Sequence, residues 1–492
     1  MADAMSYRAA FVFNFLGSAP SWYKWTIAAF LLLNPLFLFV LGPFITGWLI
    51  ILEFIFTLAM ALKCHPLAAG GLIAVEAMIL GLGTPEATLH EVESNLEVLL
   101  MLMFMVAGIH FMKEGLRFAF TSLLLKVRSK MALAIIFCML CSILSSFLDT
   151  LTMVAVIITV ASSFYMVYFD FIQSLSLEER ERRKQEGAEF KAFLRDIMMH
   201  SVTGAVLGGT LTLVGEPQNI YIAHVMDWNF VQYFLICSVI TIPALLVGYL
   251  TCLFLEWTKI MGYGRMLPEE VRALLQAKAD KQRELMDVKA WVRMIIYCAI
   301  GLYLILALAL HLAPVGFIGL SVMVLLTALT GVIEEHKFGE AFTEAMPFTA
   351  LLVVFFAIVA MIHQQNLFEP MVAMVLQIQG VPQLVAFFFT NAVLSTMSDS
   401  VFVATVFINE VEKAFEAQVF DRAWFEKLAI VVNMATNFPA MATPNGQAAF
   451  LFLLTSSISS VIGLSYMEMV KMALPYLLTT STVALIGIIY FI

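Results

Sequence analysis

Ser145-Ser146-Phe147-Leu148-Asp149-Thr150 sets an aspartate inside a long apolar run that continues into Val154-Ala155-Val156. The same arrangement returns 250 residues later (399 − 149) as Ser395-Thr396-Met397-Ser398-Asp399-Ser400, continuing into Ala404-Thr405-Val406. Each stretch is followed by a helix-breaking element. In the first half this is Val214-Gly215-Glu216-Pro217-Gln218-Asn219, and in the second Met441-Ala442-Thr443-Pro444-Asn445-Gly446. A carboxylate held in hydrocarbon costs several kcal/mol and by default marks a functional site. Broken segments at matching positions of a duplicated unit point to the binding site of a secondary transporter.

Composition places the chain in a membrane. Of its 492 residues 62% are hydrophobic and 13% charged, and mean hydropathy is +0.93; soluble domains carry roughly a quarter charged residues. Apolar runs of about 20 residues, enough to span a bilayer as helix, recur throughout. They are continuous, not the alternating segments of about ten residues that build a membrane barrel. The expected fold class is therefore an all-α polytopic membrane protein. A formal charge of −9 with no basic stripe excludes a nucleic-acid partner. Cys64, Cys138, Cys141, Cys237, Cys252 and Cys298 all lie in or beside apolar segments, where packing explains them better than metal or redox work. There is no phosphate-binding Gly-Lys-Ser/Thr loop, Gly262-Tyr263-Gly264 being too short. ATP-driven transport has no support, and no cofactor is expected.

The basic loops orient the chain. Arg8 and Lys24 precede a first span at 24–42, which is too long for a cleaved leader, so the N-terminus is expected inside and the span retained. Spans at 44–62, 66–82 and 96–112 follow, with Thr84–Asn95 read as an external loop. Lys113, Arg117, Lys126, Arg128 and Lys130 then mark the inside again, as do Arg180, Arg182, Arg183, Lys184, Lys191 and Arg195 after the apolar stretch 131–168. That stretch has cytoplasmic flanks at both ends and Asp149 at its centre, which predicts a helical hairpin with Asp149 near its tip. Segment 196–224, broken at Glu216-Pro217, leads outward, 231–255 returns, and the basic loop 256–291 lies inside. Spans at 292–312, 315–333 and 345–363 follow. The second hairpin, 383–408, precedes an acidic flank that reads as external. The hairpins thus enter from opposite faces, as an inverted repeat requires. Segment 428–446, broken at Thr443-Pro444, and spans near 447–465 and 470–490 complete the chain.

This gives a domain plan of N-terminal scaffold helices (1–130), a first repeat core (131–255), a cytoplasmic loop (256–291), second-half scaffold helices (292–382) and a second repeat core (383–492). Asp149 to Pro217 spans 68 residues (217 − 149) and Asp399 to Pro444 spans 45 (444 − 399). One insertion, the charged loop 169–195, accounts for the difference.

Sodium is a hard cation that prefers oxygen ligands. Asp149, Thr150, Ser146, Asp399, Ser398 and Ser400 offer carboxylate and hydroxyl oxygens. At the breaks, Pro217 and Pro444 deprive carbonyls of their usual partner, and such backbone is tolerated at depth where it lines a cavity or an ion site. Glu216, Asn219, Thr443 and Asn445 line those breaks. A carboxyl in a water-poor site can hold a proton or a sodium ion, and competition between the two is a minimal exchange mechanism. The plainer reading of an Asp at a helix tip is an N-cap, a role that Ser398 or Ser400 could share in the second hairpin; two repeat-equivalent Asp residues, each paired with a Pro break, favour the functional one. Glu216 is open between lining the cavity and capping a half-helix. Glu53 and Glu76, within spans, are expected to pair with Lys63 or with each other, and His200, His311 and His363, near span ends, to be structural or interfacial; Glu97 and His110 are read the same way.

At these residues the chain resembles the NhaB-type sodium/proton antiporters. The resemblance rests on Phe147-Leu148-Asp149, Glu216-Pro217-Gln218-Asn219, Ser398-Asp399-Ser400 and the run from Ala442-Thr443-Pro444-Asn445-Gly446-Gln447 to Phe452, with Asn14-Phe15-Leu16-Gly17 and Trp22-Tyr23-Lys24 near the start. It covers nearly the whole chain. It implies a multi-pass protein of the bacterial inner membrane, in the ion transporter superfamily, that extrudes Na+, with Li+ as a further substrate, against entering H+. It also implies electrogenic exchange on an inverted-repeat scaffold commonly built as a homodimer. The rival within that superfamily is a sodium-coupled dicarboxylate symporter. Its members carry Ser-Asn-Thr at each hairpin tip, where this chain has Leu148-Asp149-Thr150 and Ser398-Asp399-Ser400. Two extra negative charges repel a dicarboxylate in a low-dielectric site and favour a bare cation.

Overall fold

The computed structural model describes residues 7–61, 63–284, 286–367, 370, 374 and 377–492. Every regular element among them is helical. Among the described residues, seven helices are long and apolar enough to cross a membrane, or up to eight if the pair Pro85–Ser94 and Leu96–His110, bent by 60°, counts as one span. Large apolar side chains stand on the outer surface (Phe39 is 90% exposed, Leu32 78%), which suits a lipid surround and would be costly in water.

The chain divides into two compact units, Met1–Leu99 with Met346–Ile378, and Leu100–Ala345 with Gln379–Ile492. In the first, the helical stretch Ser21–Ala59 is interrupted at Gly42, whose φ of 80° only glycine adopts without cost, followed by Pro43. The two spans expected at 24–42 and 44–62 therefore meet at this break with no loop between them. The segment Thr84–Asn95, expected as a loop, is instead the helix Pro85–Ser94, started by the Thr84 hydroxyl and Pro85. Lys24 does more than orient the chain. Its ammonium donates to the carbonyls of Val12, Phe13 and Gly17 at 2.8, 3.1 and 2.6 Å, closing the end of the helix Tyr7–Asn14. Among the described residues, no hydrogen bond or ion pair joins Glu53 or Glu76 to Lys63 or to each other. Both accept from the Asn34 amide, each at 2.8 Å.

The second unit holds both aspartate stretches. The helices that build the site are α1 (Lys130–Leu148), α2 (Thr150–Ser174), α3 (Lys184–Gly209), α4 (Pro217–Met226), α5 (Phe230–Thr258), α6 (Val381–Met397), α7 (Ser400–Glu416), α8 (Arg422–Asn437), α9 (Ala448–Thr455) and α10 (Tyr466–Tyr490). The order repeats: two helices meeting at an Asp, a helix that breaks, a short helix beyond the break, and a long closing helix. The expected loop 169–195 is largely helical. It contains the turn Leu177–Arg182, opened by a Ser176–Glu179 capping box, and the start of α3. The loop 256–291 likewise contains the helix Glu269–Glu284, tied to the first loop through Arg183 and Glu270.

Two glycines on one face of α3 let it lie against α1. A Cβ on Gly204 would stand 2.3 Å from the Cys138 carbonyl oxygen, and one on Gly208 would stand 1.9 Å from that of Ser142. Small residues four apart are how helices approach closely in a membrane. This contact sets the first break directly against the first hairpin.

Candidate functional site: two helix breaks facing two aspartate tips

Asp149 ends α1 and starts α2. Its backbone stands at φ 61°, ψ 152°, a conformation that a side-chain-bearing residue holds only at a cost of order 1–3 kcal/mol. Its carboxylate accepts from the backbone N–H of Leu151 at 2.8 Å and of Thr152 at 3.2 Å, and Oδ2 accepts from the Thr152 hydroxyl at 2.5 Å. Asp399 occupies the same place between α6 and α7 with ordinary backbone (φ −59°), and Oδ1 accepts from the Val401 N–H at 2.9 Å. Both aspartates are thus N-caps, the second capping by itself without Ser398 or Ser400. Both are also buried, at 4% and 8% exposure. Capping uses a carboxylate's lone pairs but does not require its charge, since Asn caps about as well as Asp. The charge is therefore surplus to the structural role.

The first break folds onto the first tip. The Thr150 N–H and hydroxyl both donate to the Gly215 carbonyl, at 3.0 and 2.9 Å. The Ser146 hydroxyl donates to the Gly208 carbonyl at 2.9 Å, and the Thr212 hydroxyl returns a bond to the Ser146 carbonyl. Asn219, in the first turn beyond Pro217, closes the gap by donating to the carbonyls of Gly209 and Thr212 at 2.8 and 2.9 Å. Its side chain replaces the helix bonds that the break removes. The second break is tied in a similar way. The Thr443 hydroxyl donates to the Thr396 carbonyl at 2.5 Å and accepts from the Gly446 N–H at 3.1 Å. A Cβ on Gly446 would stand 2.1 Å from the Ser395 carbonyl oxygen. Asn445 donates to the Tyr466 hydroxyl at 3.4 Å.

The two breaks also meet each other. Glu216 stands at the N-cap position of α4, but its side chain caps nothing. Its carboxylate instead accepts from the Gln447 amide at 3.3 Å and lies against the Thr150 hydroxyl. Glu216 is thus no cap of α4, and its carboxylate faces the Gln447 amide of the second break. Gln218 donates to Asn437 at 3.0 Å, and Asn437 donates to Asn219 at 2.9 Å, joining the end of α8 to the start of α4. Tyr221 donates to Asn409 of α7 at 2.7 Å. Sequence reading passed over Asn409 and Asn437, and it quoted Gln218 and Gln447 within motifs without giving either a role. The signal available was a run of carboxamides inside apolar segments, each next to a break or hairpin.

Of the predicted site residues, Thr150, Ser146 and Asn219 are tied by hydrogen bonds to the backbone of the first break, with Asp149, Glu216 and Pro217 next to them in sequence, and Thr443, Pro444 and Asn445 lie at the second break, which Thr443 ties to the hairpin carrying Asp399. Ser398 and Ser400 are buried at the second tip. The hydroxyls of Ser395 and Ser398 make no hydrogen bond among the described residues and are thus spare oxygens. No arginine contacts Asp149, Glu216 or Asp399 among the described residues. The set is carboxylate, hydroxyl, carbonyl and amide oxygen, a donor set for a small hard cation.

A profile of the family described as "Bacterial Na+/H+ antiporter B (NhaB)" matches residues 3–492. The chain belongs to this family. It is 49% identical over 500 residues to the Na(+)/H(+) antiporter NhaB of Yersinia enterocolitica, covering 99% of this chain and 94% of that protein. It is 51% identical over 482 residues to the protein of the same name from Escherichia coli, covering 96% of this chain and 94% of the other. The Klebsiella pneumoniae protein of that name is 50% identical over 492 residues, with 98% and 95% covered. The match runs through both hairpins, both breaks and the helices between them.

Proposed function

We propose that this NhaB family member is a secondary active antiporter of the bacterial inner membrane, exchanging cytoplasmic Na+, and Li+, for external H+. The observation that carries the reading is three buried carboxylates, Asp149, Glu216 and Asp399, held at two helix tips and a break that hydrogen bonds join, Thr150 to Gly215 and Gln447 to Glu216. Like charges in a water-poor site repel, and either a proton or a sodium ion relieves that repulsion. The site then holds one or the other. Ligands offered to sodium are Asp149 and Asp399, with Thr150, Ser146, Ser398, Ser400 and Glu216 around them. An anionic dicarboxylate would add charge of the same sign, with no arginine to receive it.

Alternating access follows from the repeated order of elements, read as an inverted repeat about the site. The repeat cores 131–255 and 383–492 are the moving part, and the helices of 1–130 and 292–382 are the scaffold, the N-terminal helices offering the homodimer contact. The test is sodium-driven proton movement in proteoliposomes, with dicarboxylate uptake measured in parallel. Proton efflux or uptake driven by Na+ and Li+ gradients, without dicarboxylate accumulation, is the expected result. Sodium-coupled dicarboxylate uptake with no proton movement would overturn it.

A further inference from the structure

A second set of buried ionisable groups lies at the other end of the hairpin. Lys130 begins α1 and Asp149 ends it, so a helix of 19 residues, about 28 Å long, separates the two sets. The Lys130 ammonium sits between two carboxylates, 3.0 Å from Asp196 Oδ2 on α3 and 2.9 Å from Glu256 Oε1 on α5. His200, one turn along α3 from Asp196, faces the same carboxylates. Its Nε2 is 2.9 Å from Glu256 Oε1 and 3.3 Å from Asp196 Oδ1. Its Nδ1 is 2.6 Å from the Tyr476 hydroxyl of α10, and its ring stacks on Tyr263 at 4.3 Å. Asp196, His200 and Glu256 are all buried. The backbone N–H of Arg265 donates to Asp196 Oδ2 at 3.0 Å. Cys252 of α5 lies against both His200 and Tyr476, with Cys138 of α1 beside it. Cys141, also of α1, lies against Ser201.

These groups could suggest a metal centre, but a cation already sits between the carboxylates. What the arrangement accommodates is a proton. With a neutral imidazole, Nε2–H donates to Glu256 and the Tyr476 hydroxyl donates to Nδ1. One ammonium against two carboxylates then leaves a net charge of −1 in a buried place, and a buried net charge is costly. An added proton on Nδ1 makes the cluster neutral. The Tyr476 hydroxyl then turns to accept it and points its own hydrogen at the Cys252 sulfur, so no heavy atom moves. Asp196 Oδ1 accepts no hydrogen bond among the described residues, which leaves it free to face the imidazolium.

We propose that the Lys130–Asp196–His200–Glu256 cluster, closed by Tyr476, is a second proton-binding site, separate from the sodium site, whose occupancy sets the pH range over which transport runs. The cluster joins α1, α3, α5 and α10, and α1 and α3 carry the first aspartate and the first break. A change of charge here acts on how those helices hold together. The inference rests on the proton-coupled reading above, and its test is chosen to separate the two.

The purified protein is titrated with acid at saturating sodium, which keeps the carboxylates at the breaks occupied. Between about pH 9 and 5, a window that contains the ordinary imidazole titration, wild type should take up one more proton per chain than His200→Gln. The pH profile of sodium-driven proton flux in proteoliposomes should move by about one unit or more in His200→Gln, with the rate at its best pH within about twofold of wild type. Tyr476→Phe, which keeps the ring and its packing but removes the acceptor for the second proton, guards against loss of folding in the first variant and should shift the profile in the same direction. An unchanged proton count and an unmoved profile in either folded variant would overturn the proposal, while leaving exchange at the breaks intact.

Discussion

At the scale of the residue, charge and capping are two separate uses of the same carboxylate. Asp149 and Asp399 each hold the first N–H groups of a returning helix, and Asn can do that nearly as well. Asp149→Asn and Asp399→Asn should therefore fold and insert, and their thermal midpoints should stay close to that of wild type. Sodium-driven proton exchange should fall at least about tenfold in each, since an interaction with a charged group contributes on the order of 1.5–3 kcal/mol. Wild-type rates in both variants would return these residues to a capping role alone. Glu216 makes a further distinction, because it caps nothing. Glu216→Gln should leave stability unchanged while altering the pH dependence of transport, measured as flux against pH at fixed sodium. The positive φ at Asp149 is a local cost that Asp399 does not bear, so the two tips are not equivalent in backbone even though their sequences match.

At the scale of the element, the breaks work because carbonyl oxygens of one helix fill the place where another would carry a side chain. Gly208 against Ser142 and Gly446 against Ser395 leave no room for a Cβ, and the obstacle is backbone in both cases. Gly208→Ala and Gly446→Ala should each lower stability by about 1–3 kcal/mol, seen as an earlier thermal midpoint in detergent. Both should also weaken sodium-dependent proton flux, because they displace a break from its hairpin. An unchanged midpoint in both would show that the contacts are looser than described. The hairpins and breaks were legible in the sequence because a lone Asp or a Pro stands out in an apolar run. The cluster of Lys130, Asp196 and Glu256 was not legible. Its members lie in charged flanks, where each residue reads as a solvated end or a topological marker. Their pairing closes over 126 residues between Lys130 and Glu256 and 56 between His200 and Glu256. Nothing in a local pattern brings such groups together. The helices inside the loops 169–195 and 256–291 escaped for the opposite reason: they are charged on most faces, so composition reads them as loop.

At the scale of the whole molecule, exchange requires that sodium and protons exclude one another at a single site that faces each side of the membrane in turn. The family match over residues 3–492 and the buried carboxylates at two breaks support that reading together. Its sign is fixed. At low pH protons fill the carboxylates and sodium binds weakly. As pH rises they leave, apparent sodium affinity increases, and it levels off once the carboxylates are ionised. The measurement that tests this most directly is sodium binding to the purified protein by calorimetry across a pH series, in buffers of different ionisation enthalpy so that released protons are counted. The account predicts proton release on sodium binding and an affinity that falls about tenfold for each pH unit per competing proton on the acid side. It also predicts loss of that release in Asp149→Asn and Asp399→Asn. Sodium binding of constant affinity across the series, with no proton released, would contradict it.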